Sequence, residues 1–202
     1  MKIFAVTGNC PTDEGTPNPF GAGEATWYEI PDSAISHSGN PFFVPDFDNR
    51  FAAFPSVAYR IGKLGKTISR RFAGRYVDGA TIGFSVVALD TLKRLRESGQ
   101  PWTQAVAFDR SCLLGNFQPI DTFINNGPYT IEAGSERRTF DPMLLVHPIE
   151  EVIEWISAQN TLKTGDVILA GLNPAGFPLE IGMRLRAAAA NNNTNALDIN
   201  IR

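Results

Sequence analysis

Little in this 202-residue chain announces a function by residue type alone. Two histidines and two cysteines are all it holds, and none of the four is spaced from another as metal ligands are. Cys10 and Cys112 lie too far apart to suggest a disulfide framework, so a reduced, cytoplasmic setting is expected. No hydrophobic run nears the ~18 residues of a membrane span. The apolar start Ile3 to Val6 is shorter than the ~7 to 15 residues of a signal segment and reads as a first strand. A basic stripe is missing too. Net charge is −3, and Arg70-Arg71 and Arg137-Arg138 are short pairs that read as solvated faces. Neither nucleic acid nor a membrane is expected as a partner.

What is present is an apolar fraction of 43%, enough for a real core and spread without a linker-like charge run. One domain over residues 1–186 is expected, with the Ala- and Asn-rich residues 187–202 as a poorly ordered end. Asn9 to Gly23, rich in Pro, Gly, Asn and Thr, reads as a long surface loop. Strand patterns occupy Trp27 to Ile30, Val57 to Ile61, Thr81 to Leu89 and Asp166 to Ala170. Ser69 caps a helix expected to bury Phe72, Ala73, Tyr76 and Val77 before Gly79 ends it. Asn125-Asn126-Gly127 reads as a hairpin turn between Thr122–Ile124 and Tyr129–Glu132. Pro148 opens a helix whose Ile149, Val152, Ile153 and Ile156 form one stripe.

Several near-motifs fail. Gly65-Lys66-Thr67 ends like a phosphate-binding loop, but Arg60 stands where its first Gly belongs. Gly83-Phe84-Ser85 lacks the second Gly of a nucleophile elbow. Asp46-Phe47-Asp48-Asn49 lacks the Gly and distal Glu of a calcium loop and reads as a turn. The stretch Gln100 to Gly115 mixes Pro101, Trp102, an Asp109-Arg110-Ser111 corner and apolar residues without either regular period. Irregular apolar segments of this kind are usually kept for a site.

Together with Gly165-Asp166-Val167-Ile168-Leu169-Ala170-Gly171, Pro174-Ala175-Gly176 and Gly62-Lys63, that stretch resembles the fumarylacetoacetate hydrolase family. The likeness covers about residues 40 to 185, with a weaker match at Met1 to Asn9. It implies an α+β fold: a mixed, mostly β roll folded on itself with a few short helices, and a homodimer. It also implies hydrolysis, isomerisation or decarboxylation of small 2-oxo or β-diketo acids around a Mg²⁺ or Mn²⁺ held by carboxylates.

At those positions this chain departs from the pattern. The family's Glu-x-Glu pair falls on Phe54-Pro55-Ser56, its third metal carboxylate on Ser85, and its Lys on Val106; Asn9 is kept. A hydroxyl can replace one carboxylate ligand but not a whole set, because the cation's charge would be left uncompensated. The expectation is no divalent metal and no other cofactor. Phe54, Ser56, Ser85, Val106, Gln100 and Trp102 would then line a cleft that binds a small organic acid or serves as scaffold. Alternatively the site is rebuilt for catalysis from Asp13, Glu14, Asp46, Asp48 or Asp109, of which Asp109 matches the family motif.

Overall fold

The computed structural model describes every residue except 12–14, 17 and 22. The strands are β1 (Lys2–Thr7), β2 (Thr26–Pro31), β3 (Ile35–His37), β4 (Phe51–Ile61), β5 (Val77–Ala88), β6 (Cys112–Leu114), β7 (Tyr129–Ala133), β8 (Glu136–Phe140), β9 (Val167–Leu169), β10 (Phe177–Pro178), β11 (Arg184–Ala189) and β12 (Asn195–Asn200). The helices are α1 (Arg70–Ala73), α2 (Leu89–Glu97), α3 (Thr103–Val106), α4 (Ile120–Asn126) and α5 (Ile149–Gln159). A mixed sheet runs β2-β1-β9-β4-β5-β6-β3, with β10 beside β4, and a smaller antiparallel sheet runs β12-β11-β7-β8. This is the mostly β roll with short helices that the family resemblance implies.

The antiparallel pair β4–β5 forms the spine, in register from Phe51↔Ala88 to Tyr59↔Ala80. Side chains alternate across a sheet, so each strand feeds two faces. Phe51, Ala53, Val57, Ile82, Phe84 and Val86 enter the core shared with the small sheet. Ala52, Phe54, Ala58 and Val87 enter a second core with Leu92 and Leu95 of α2 and Val106 of α3. That alternation places Phe54, Ser56 and Ser85 on one face, with Phe54 directly opposite Ser85.

Three expectations are corrected. Residues 187–202 are not a loose end: they complete β11 and form β12, burying Leu197, Ile199 and Ile201. The domain therefore runs past 186. The Asn125-Asn126-Gly127 stretch closes α4, whose Phe123 ring stacks on Tyr129 at 4.8 Å. The hairpin lies downstream, where the two residues Gly134 and Ser135 join β7 to β8, Gly134 taking φ +59°. The helix after Ser69 is one α turn followed by a 3₁₀ turn, and Phe72 remains exposed. Val77 is drawn into β5 by pairing with Ile61, so the chain cannot continue as a helix.

Candidate functional site

The face carrying Phe54 and Ser85 is closed by aromatic rings. Phe20 packs edge-on to Phe54 at 5.0 Å, and Trp102 edge-on to Tyr28 at 5.2 Å. Ser56 Oγ accepts the Gly171 N–H at 3.1 Å and donates to the Val57 carbonyl at 3.1 Å. Ser85 Oγ lies 2.9 Å from the Tyr28 hydroxyl. Both hydroxyls are fully buried and spent within the fold. Val106 is buried at the end of α3, and Trp102 and Val106 border a cleft of about 360 Å³ with Tyr28 and Glu29.

The other expected residues are scattered. Asp109 is exposed at a corner where Arg110 takes φ +62°, its carboxylate making no hydrogen bond among the described residues. Gln100 is exposed beyond α2, its N–H bound to the Leu95 carbonyl. Asp48 is committed to structure: its carboxylate accepts the Thr91 N–H at 2.7 Å and the Arg50 N–H at 2.9 Å. Despite partial burial, these bonds hold it below the usual carboxylate range. Asp46 lies in a surface turn, and Asp13 and Glu14 fall outside the described residues.

Beside Phe54 opens a cleft of about 760 Å³ lined by Ala52, Phe54, Leu89, Arg138, Pro174 and Gly176, among others. Gly176 is required there, since a Cβ would fall 2.6 Å from the Phe54 ring. Arg138, read from sequence as part of a solvated pair, is the one Lys or Arg among the described lining residues. Its guanidinium sits 4.3 Å from the Phe177 ring centroid, donates to the Ala175 carbonyl at 2.8 Å and pairs with Glu136. Nε–H is left uncommitted among the described hydrogen bonds. The sequence carries no signal for Tyr28 and Phe20 at this site, because their contacts with Ser85 and Phe54 depend on sheet closure between remote segments.

Burial shapes the titration of this face. It pushes the Cys112 thiol, opposite Ser85, up to about 12, and drives the Tyr28 phenol well above its ordinary value against the opposing Ser85 bond. A folded-state value above the unfolded one means stability fully present below the unfolded value and lost as pH rises through the folded one. Stability should fall above about pH 9 through Cys112 and, above about pH 10, through Tyr28 as well, by up to about 1.4 kcal/mol per pH unit for each group. Urea unfolding at pH 8 to 10.5 measures it, and Cys112→Ala should flatten the slope. An unchanged slope in that variant would reject the assignment to Cys112.

A family model described as fumarylacetoacetate (FAA) hydrolase C-terminal matches residues 11–194. An oxaloacetate tautomerase of Escherichia coli, YcgM, is 26% identical over 159 residues, 77% of this chain and 73% of the relative. The structure of 5-carboxymethyl-2-hydroxymuconate delta-isomerase from Mycobacterium smegmatis superposes with TM-score 0.80 at 26% identity, covering 99% and 78% of the two chains. That of fumarylpyruvate hydrolase from Pseudomonas aeruginosa, in complex with Mn²⁺ and pyruvate, gives 0.84 at 20% identity over 100% and 89%.

Proposed function

Because the chain belongs to the fumarylacetoacetate hydrolase family, we propose that it has kept the family's cleft but not its metal-dependent chemistry, and binds a small organic acid without a cation. The observation that carries this reading is the commitment of the three ancestral ligand positions. Phe54 contributes a ring, and the Ser56 and Ser85 hydroxyls are already bonded to Gly171, Val57 and Tyr28. A hard divalent ion needs six or more oxygens and at least one carboxylate to balance its charge. Two neutral hydroxyls, both spent, do not fit it. No group of three His, Cys, Asp or Glu side chains among the described residues would hold such an ion elsewhere.

The residues that remain suit a different task. Phe54, Pro174 and Pro178 offer flat apolar contact, and Arg138 offers a guanidinium already oriented by the Ala175 carbonyl and the Phe177 ring. An acid with a compact apolar body would set its carboxylate against Arg138 Nε. A homodimer in the cytoplasm belongs to the same proposal. Phe43 and Phe47 are exposed, and Phe47 packs edge-on to Phe51 and Phe108, an apolar surface that a second copy could cover.

The names of the relatives favour a second reading, an oxo-acid enzyme with a rebuilt site. One set of measurements separates the two. Purified protein should carry no stoichiometric Mg²⁺ or Mn²⁺ and should not turn over oxaloacetate or acylpyruvates with either ion. Benzoate should bind, about tenfold more weakly after Arg138→Gln. One tightly held ion per chain, or metal-dependent turnover abolished by Asp109→Ala, would establish the enzyme instead.

A further inference from the structure

A second cleft, of about 690 Å³, lies between the loop leading into β2 and helix α5, and the family reading gives it no role. Gly8, Glu24, Trp27, His147, Trp155 and Gln159 are among its lining residues. Its chemistry is the reverse of the first cleft's. No Lys or Arg is among its described lining residues, whereas Glu24 is, and Glu24 makes no ion pair among the described residues. Two half-buried indoles, Trp27 and Trp155, border the same space.

This wall is held in place by buried bonds. Asn9, fully buried, accepts the His147 N–H at 2.7 Å and donates to the carbonyls of His147 at 3.0 Å and Ala170 at 2.6 Å. His147 Nδ1 lies 3.2 Å from Glu151 Oε1, one turn into α5, and the imidazole packs edge-on to Trp155 at 4.6 Å. The Trp155 indole is therefore braced by a side chain whose backbone is held by Asn9, two residues past β1, which in turn bonds Ala170 just past β9. Glu151 is shared with Arg70 at 3.2 Å, whereas Glu24 has no ion pair among the described residues.

Indole faces carry negative potential and attract cations, above all weakly hydrated ones such as quaternary ammonium groups. A carboxylate beside them adds attraction for the same charge and repels anions. We propose that this second cleft is a binding site for a small organic cation bearing a methylated ammonium group, with Trp27 and Trp155 as its aromatic walls and Glu24 as its counter-charge.

Choline and its neutral isostere 3,3-dimethylbutan-1-ol serve as probes, titrated calorimetrically into the full chain. Choline should bind saturably and lose affinity with salt, while the alcohol should show no saturation over the same range. Glu24→Gln, an exposed position that leaves the fold intact, should weaken choline about fivefold, and Trp27→Leu about tenfold. Arg138→Gln should leave choline binding unchanged, which separates this site from the organic-acid cleft. Absence of saturation with choline, equal binding of the alcohol, or indifference to both cleft substitutions would each overturn the proposal.

Discussion

Removing residues 187–202 should abolish cooperative folding. The segment supplies β12 and half of β11, and Leu197, Ile199 and Ile201 are each at most 1% exposed. Burying such side chains is worth about 1.5–3 kcal/mol apiece, so these three alone contribute on the order of 5–9 kcal/mol. That rivals the ~5–15 kcal/mol stability of a typical domain. The loss would spread, because the segment fastens parts of the chain far away in sequence. Phe42 and Val44 donate their N–H groups to the carbonyls of Asn200 and Arg202, and Asn116 donates to Ala196. At Gly115 the fit is close enough that a Cβ would fall 2.2 Å from the Ala196 carbonyl oxygen. Near-UV circular dichroism and urea unfolding of the truncated chain test this. A native spectrum with a cooperative transition would show the segment to be dispensable. Leu197→Ala, expected to cost about 2–5 kcal/mol while leaving a folded chain, gives a graded version of the same measurement.

Why this segment reads as a loose end is a matter of side-chain size. Ala187, Ala188 and Ala189 are small and favour helix over strand, so they carry no β signal, although all three are buried. The alternation of Leu197, Ile199 and Ile201 is a strand signal, but it is short and set among Asn residues. β5 and the second half of β4 are legible because their apolar runs are long and rich in β-branched and aromatic residues, whereas Phe51 to Ser56 carries Pro55, which argues against a central strand, although the structure extends β4 through it. Residue order along the chain, together with the family likeness, is what points to Phe54, Ser56, Ser85 and Val106 as the positions to compare. What those residues touch is not local information. Tyr28 reaches Ser85 across 57 positions, and Arg138 reaches its cleft through a hairpin whose turn was expected elsewhere. The Asn125-Asn126-Gly127 signal failed for a related reason: burial of Phe123 against Tyr129 rewarded a helix where turn chemistry alone pointed to a hairpin.

The largest gain of metal binding should come from placing carboxylates at the three proposed ligand positions. In the triple variant Phe54→Glu, Ser56→Glu, Ser85→Asp, three acids would converge on one face, since positions 54 and 85 are directly paired and 56 lies two residues along the same strand. Without metal the variant should be much less stable than the parent. Removing a fully packed Phe from a core costs about 3–5 kcal/mol, and like charges crowded at a buried site add to that. Manganese should reverse the loss. An ion that binds only the folded state stabilises it by about 2.7 kcal/mol at a hundred times its dissociation constant, so the melting temperature should climb with Mn²⁺ in the triple variant and stay flat in the parent. The double variant Ser56→Glu, Ser85→Asp, which keeps the Phe54 ring against Phe20 and Gly176, should not respond. That contrast assigns the response to position 54, and a second triple variant, Phe54→Ala with Ser56→Glu and Ser85→Asp, separates loss of the ring from gain of the third carboxylate. If the parent melts higher in Mn²⁺ to the same extent as the triple variant, the ion binds without these positions, and the metal-free reading of the cleft fails.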